Sequence, residues 1–203
     1  MTTSDPFVQP QSARPWTITA QRVILDRSPY GIIWDEDIRL PDGEAISNFM
    51  RIELRPFVVI FAVADVVDGT GTPSVPLIEI YRLGPRQVAI ELPAGGIEDG
   101  EEPLAAAQRE LREETGMEAK DWQSLGTYYM DSNREAGVAH IFLARYAHPI
   151  QTPNSGDLGD MLVHLVPYEI VRDMWHNGQI RCAPQALAVA LALNVLESND
   201  RTG

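Results

Sequence analysis

The sequence predicts an α/β (α+β) fold: a mixed sheet flanked by helices, with a small antiparallel strand unit ahead of it. Three observations carry that reading. The run FVVIFAVADVV from Phe57 to Val67 is almost continuously apolar, as in a strand buried on both faces. The segment from Pro103 to Gly116 carries start and stop signals of a helix, with apolar residues at helical spacing. Strand-like and helix-like segments then alternate to the end of the chain.

Taken in order, residues 1–15 are polar and Pro-containing and read as a flexible arm. Residues 16–52 read as three short strands. Ile18 and Val23–Leu25 are strand-like, Ser28-Pro29 is a break, Tyr30–Trp34 is strand-like again, and Leu40-Pro41-Asp42-Gly43 is a turn. Three short strands bury little by themselves, so this unit is expected to pack on something else. The main domain spans residues 53–198. After Phe57–Val67 come a loop at 68–73 and strands at Leu77–Tyr81 and Val88–Leu92, the latter leading into Pro93-Ala94-Gly95-Gly96.

In the helix that follows, Pro103 suits the first turn, Glu101 and Glu102 complement the positive end, and Gly116 fits the terminating position. Leu104, Ala107, Leu111 and Thr115 form its packing stripe. Strands are expected around Leu125–Met130, Ala139–Arg145 and Met161–Val166, with a loop from His148 to Gly159. Helices are expected over Tyr168–His176 and Pro184–Leu196.

Composition removes several classes of function. The 203 residues include 29 acidic and 16 basic side chains, for a net charge of −13, and no Lys/Arg-rich run occurs. Binding to a nucleic-acid duplex needs clustered cations, so no nucleic-acid partner is expected. The longest apolar stretch, Ala186–Leu193, falls far short of the roughly 20 residues that span a bilayer. The N-terminus lacks the basic and apolar regions of a secretory signal. The lone Cys182 cannot form an internal disulfide and reads as core packing. A cytoplasmic protein without a membrane partner is expected. The four His lack ligand spacing and receive no role.

The other face of the Pro103–Gly116 helix carries chemistry. Glu110, Glu113 and Glu114 fall within about 100° of arc. Like charges at i, i+3 and i, i+4 destabilise a helix by roughly 0.2–0.5 kcal/mol per pair. Arg109 reaches Glu113 at i, i+4 but cannot neutralise three carboxylates. A hard divalent cation can, because Mg²⁺ binds carboxylate and phosphate oxygens. A solvated acidic face is the bland alternative for such a triplet. Gly95-Gly96 just before the helix weighs against it by offering close backbone access, and the Ala94 carbonyl is a further candidate oxygen ligand.

Gly95, five residues, Glu101, seven residues, then Arg109-Glu110-Leu111-Arg112-Glu113-Glu114-Thr115-Gly116-Met117 resembles the Nudix box, G-x5-E-x7-R-E-U-x-E-E-x-G-U, with U apolar. All nine defined positions over these twenty-three residues are filled. The resemblance implies an α/β/α sandwich around a mixed sheet and hydrolysis of a nucleoside diphosphate linked to another group. It makes Glu110 and Glu114 the principal Mg²⁺ ligands, with Mn²⁺ the alternative ion and Glu113 a further ligand or bridge. Arg109 orients the glutamates, and Gly95, Glu101 and Gly116 support the loop–helix geometry. Water activated at the bound ion is the implied nucleophile, without a covalent intermediate.

Upstream, Ile80-Tyr81-Arg82-Leu83-Gly84-Pro85 and Glu91-Leu92-Pro93-Ala94-Gly95 resemble the ADP-ribose and nucleoside-diphosphate-sugar pyrophosphatase branch. ADP-ribose is the first expected substrate. Another nucleotide sugar, a nucleoside triphosphate or a dinucleoside polyphosphate is the alternative, and a non-catalytic ligand-sensing module is the third reading. Arg82 is a candidate phosphate or sugar contact, with a structural ion pair as its other reading. Arg55 and Glu79 are weaker candidates of the same kind. The branch often carries a Pro some fifteen residues beyond the box. This chain has Met130–Gly137 there, which makes Asn133 and Arg134 candidate readers of a sugar or phosphate. A late-loop carboxylate commonly serves the branch as general base; the matching position is Asp157, with Asp160 its rival, where a Glu is usual. Tyr30 and Trp34 could stack on a base, with ordinary packing the competing reading. The branch often packs its strand unit across a two-fold axis, so a homodimer is expected.

Overall fold

The apolar run at 57–64, and the alternation that surrounds it, build the structure, a computed structural model that describes residues 14–64, 72–154, 156 and 160–200. Asp157 lies outside the described residues, as do 65–67 at the end of the apolar run and most of the following loop. The chain divides into two compact units. The first comprises residues up to Leu54 together with Asp131–Ala136, and the second comprises Arg55–Met130 and the remainder.

In the first unit, β1 (Thr17–Asp26), β2 (Gly31–Arg39) and β3 (Ala45–Leu54) form an antiparallel meander. The two breaks seen in the sequence are its turns. Tyr30 N–H donates to Arg27 O, and Gly43 N–H donates to Leu40 O across the Pro41-Asp42 turn. Inside, Arg51 forms ion pairs with the buried Glu36 at 2.9 Å and with Glu135 at 2.9 Å, and Glu135 pairs in parallel with Ile52. Every residue of β1 is exposed, its Ile18, Val23, Ile24 and Leu25 included, at 37–64% of their surface.

The second unit is a layered sandwich. Its centre is β4 (Phe57–Ala64), flanked by β5 (Ser74–Arg82), with β6 (Gln87–Glu91) returning along β5 and the short β7 (Ala94–Gly96) along β4. Then come α1 (Pro103–Thr115), β8 (Met117–Glu118), β9 (Asp121–Asp131) and β10 (Glu135–Pro149), which runs parallel to β4 from Ala139–Phe57 to Ala147–Ala64. β11 (Met161–Pro167) closes the far side against β5, and α2 (Tyr168–His176) and α3 (Ala183–Asp200) follow.

Alternation along β4 and β10 creates two cores, because successive strand side chains point to opposite faces. Val58, Ile60, Phe142 and Ala144 pack with Ala106, Ala107 and Leu111 of α1. Val59, Phe61, Ile141 and Leu143 pack with Val171 of α2 and Ala188, Val189 and Ala192 of α3. Burial on both faces explains why the strand reads as an unbroken apolar run. The mixed-sheet α/β/α class expected from the sequence is the one observed.

Several local expectations are corrected. Leu104 is 41% exposed and lies outside the buried side of α1, which takes Ala106 and Glu114 instead. Gly95-Gly96 is not an open loop but strand β7, paired with Val58 and Phe57. Neither Glu101 nor Glu102 lies in the first turn of α1; Glu102 is its N-cap residue without a side-chain cap bond. Cys182 is exposed rather than core. Among the described residues no helix is long and apolar enough to cross a membrane.

Candidate active site

The loop between β6 and α1 and the carboxylate face of α1 meet inside the second unit. Arg109, in the second turn of α1, organises the junction. Its guanidinium grips Glu101 bidentately, through Nε and Nη2, both at 2.9 Å. Nη2 also donates to the Gly96 carbonyl at 2.9 Å, and Nη1 donates to Glu110 at 2.7 Å and Glu113 at 3.2 Å. Glu101 closes the loop by accepting from the Glu98 N–H at 2.9 Å. The bond from Arg109, reinforced by that N–H, holds the Glu101 carboxyl below its ordinary range. Conversely Glu101, then Glu110 and Glu113, raise the pKa of the Arg109 guanidinium still further above its ordinary value. Glu101 thus serves the junction through Arg109 rather than the helix dipole.

The three helix carboxylates have unequal surroundings. Glu113 is the outermost, with 41% of its side chain exposed. Glu110 is mostly covered, and its carboxylate lies against the Cα of Gly95: a Cβ there would sit 2.1 Å from Glu110 Cδ. Only glycine lets the β7 backbone come that close. Glu114 is 4% exposed and accepts the Ala94 N–H at 2.9 Å. Glu110 and Glu114 are therefore held against β7, so the solvated-face alternative does not describe them, while Glu113 stays half-exposed.

A cavity of about 870 Å³ opens above the same loop. Ala94, Gly95 and Gly96 form part of its lining, the β5–β6 hairpin with Arg82 and Val88 another part, and the segment from Gln179 to Gln185 a third. That volume lies within the ~300–1,000 Å³ range of small-molecule sites. Arg82 stands at the cavity edge in an ion pair with Glu91 at 2.8 Å, so the structural-pair reading holds for its guanidinium in this state. Arg55 is tied by Nε to the Ile97 carbonyl at 2.6 Å, and its side chain runs along Gly96. The cavity also takes Cys182 into its wall; partial burial and the nearby Glu91 carboxylate push that thiol's pKa up.

Other sequence-predicted residues fall elsewhere. Asn133 and Arg134 belong to the first unit, where both backbone N–H groups donate to Asp131 Oδ1 at 2.8 Å. Glu79 pairs with His164 on the β5–β11 surface at 2.7 Å. Asp160 is exposed just before β11. Tyr30 is 81% exposed, whereas the Trp34 indole donates to Glu53 at 2.9 Å beneath the Arg51 guanidinium. Sequence reasoning missed Glu91 and Gln185. The latter binds the backbone of Leu92 from 93 positions away, and no local pattern signals such a contact.

The donor chemistry fits a hard divalent cation, since α1 and the loop offer carboxylate and peptide oxygens. Among the described residues no group of three His, Cys, Asp or Glu is already gathered around one point. Glu110 and Glu113 are turned to Arg109 instead, so a cation here would compete with that guanidinium for their oxygens.

The profile of the NUDIX domain matches residues 56–185. An ADP-ribose pyrophosphatase of Bacillus subtilis is 33% identical over 112 residues, which are 55% of this chain and 57% of that protein. A GDP-mannose pyrophosphatase of Klebsiella pneumoniae is 30% identical over 88 residues, 42% of this chain and 44% of that one. The match thus spans only about half the length of these curated relatives. A crystal structure of an ADP compounds hydrolase superposes with a TM-score of 0.75, covering 94% of this chain and 99% of that chain at 22% identity, which speaks for the fold.

Proposed function

This chain belongs to the Nudix family, and from that premise we propose that it hydrolyses the diphosphate of a nucleoside diphosphate sugar with Mg²⁺, ADP-ribose first, releasing AMP and ribose 5-phosphate. One observation carries the reading. Strand β7, against which Glu110 and Glu114 are packed, is also part of the lining of a nucleotide-sized cavity, so carboxylates and substrate space share one backbone. Similarity to an ADP-ribose pyrophosphatase supports the choice of substrate, and similarity to a GDP-mannose pyrophosphatase keeps a second nucleotide sugar in the test.

In this reading Glu110, Glu114 and the Ala94 carbonyl hold the ion, with Glu113 as a further ligand. When bound, the ion supplies Lewis acidity toward the diphosphate and an acidified water. Arg109 orients Glu110 and Glu113 and ties them to Glu101 and the Gly96 carbonyl. Arg82 and Arg55 are the phosphate-side candidates, and Arg82 would have to leave Glu91 to serve. Asn133 and Arg134 remain candidate sugar contacts. Asp157 is the proposed general base, with Asp160 its rival. A cytoplasmic setting accompanies this reading. The deciding experiment is a panel of nucleotide sugars, nucleoside triphosphates and dinucleoside polyphosphates assayed with Mg²⁺ and with Mn²⁺. Release of AMP from ADP-ribose as the fastest reaction is expected; preference for a triphosphate overturns the substrate, and binding of ADP-ribose without hydrolysis under either ion overturns the enzyme.

Gly95→Ala separates the site from the fold. The atoms it would strike are the far end of the flexible Glu110 side chain, which can swing aside, so stability should change by less than about 1 kcal/mol. The displaced Glu110 carboxylate should nonetheless lower turnover by about a hundredfold, as misplacement by an ångström does. Near-normal turnover with a normal melting curve would remove Glu110 from the machinery.

The bare strand β1 supports a homodimer. It forms the edge of its meander and carries Ile18, Val23, Ile24 and Leu25 in the open, a combination that sheet proteins normally cover. Light scattering should give twice the mass of one chain, and Ile24→Glu should return the monomer mass. A monomer in the unsubstituted protein would count against the pairing.

A further inference from the structure

We propose that Gln185 is a positioning residue that locks the β6–β7 connection, and through it the places of Glu110 and Glu114. Leu92 is 1% exposed and sits between the last ladder pair of β6, Glu91 with Ile78, and the first pair of β7, Ala94 with Val59. Its peptide groups are therefore buried beyond both ladders, where an unmet donor or acceptor is costly. Gln185, itself 3% exposed in the first turn of α3, meets both: Oε1 accepts the Leu92 N–H at 2.8 Å, and Nε2 donates to the Leu92 carbonyl at 3.4 Å. The side-chain amide thus does what a neighbouring strand's peptide would do.

What this clamp holds is short. Pro93 O accepts the Ile60 N–H at 2.9 Å, the next N–H, of Ala94, donates to Glu114, and the next Cα, of Gly95, supports the Glu110 carboxylate. Three residues, Leu92 to Ala94, link the α3 amide to Glu114, and one more, Gly95, reaches Glu110. Proline at 93 offers no N–H of its own, so Leu92 is the last point before the site at which an outside group can grip both sides of the peptide chain. Gln185 also belongs to the cavity wall, which ties the α2–α3 side of the pocket to the glutamate side.

The test uses the full chain, Gln185→Met and amide hydrogen exchange, with steady-state hydrolysis of ADP-ribose as a second arm that rests on the proposed activity. In the unsubstituted protein the Leu92 amide should exchange as slowly as those of β4; fast exchange there overturns the proposal even if the variant fails to fold. In Gln185→Met, exchange at Leu92 and Ala94 should accelerate about tenfold or more while β4 and α1 stay protected. The value of kcat should fall about ten- to a hundredfold, as when the support of a metal ligand is removed, with KM within about twofold. Unchanged exchange at Leu92, or equal acceleration throughout the domain, overturns the positioning role. An unsubstituted chain that hydrolyses no nucleotide sugar sinks the activity, while the exchange comparison still decides whether Gln185 fixes the loop.

Discussion

Glu114→Gln should lower turnover by about 10²–10³-fold while leaving the melting temperature nearly unchanged. The two effects separate because of what Glu114 touches. Its carboxylate is 4% exposed and accepts the Ala94 N–H, and a glutamine carbonyl oxygen can accept the same bond. What the substitution removes is the negative charge at the junction of α1 and β7, the property a divalent ion requires of its ligand. Steady-state release of AMP, measured across a titration of Mg²⁺, reads the loss, and calorimetry confirms the fold. Glu113→Gln is the companion: its side chain is 41% exposed, so a smaller loss is expected. Full turnover in Glu114→Gln would remove the proposed mechanism.

Gly116→Ala should unfold the protein roughly 5–10 °C earlier, the largest stability effect expected of a single methyl group here. Gly116 ends α1 in the left-handed region, at φ 70°, with its N–H donated to Arg112 O at 2.9 Å. Any side chain there carries about 1–2 kcal/mol of conformational cost. A Cβ would also lie 2.1 Å from the Gln151 carbonyl oxygen. That atom is backbone and cannot swing away, unlike the side chain beside Gly95. The Gly116 carbonyl itself receives the Ile150 and Gln151 N–H groups, so any shift reaches the segment after β10. Gly100→Ala is the control, because φ is 78° but no atom lies within 4 Å of its Cβ position. Thermal unfolding should show only the conformational part of the loss at 100; equal losses at both positions would show that the contact with residue 151 is unimportant.

Periodicity located most elements because each signal is local. The run at Phe57 reads as a doubly buried strand, Pro103 and Gly116 bound α1, and α2 occupies the expected residues Tyr168–His176. Periodicity misjudged which way faces turn. Leu104 fits the helical stripe and is exposed, while Glu114 belongs to the acidic arc and is buried, because β7 packs across that side of the helix. The sequence of Cys182 beside an alanine-rich segment implies core, yet its place before α3 puts it on the cavity wall.

From sequence alone came the mixed-sheet class, the helix that carries the glutamates and the family to which they belong, since spacing along one chain encodes all three. Folding decided the rest. Only the packed molecule pairs Arg82 with Glu91, presses Glu110 onto Gly95 and brings Gln185 to Leu92. Those contacts join segments far apart or on different elements, and their energies depend on burial and direction, which residue order does not record.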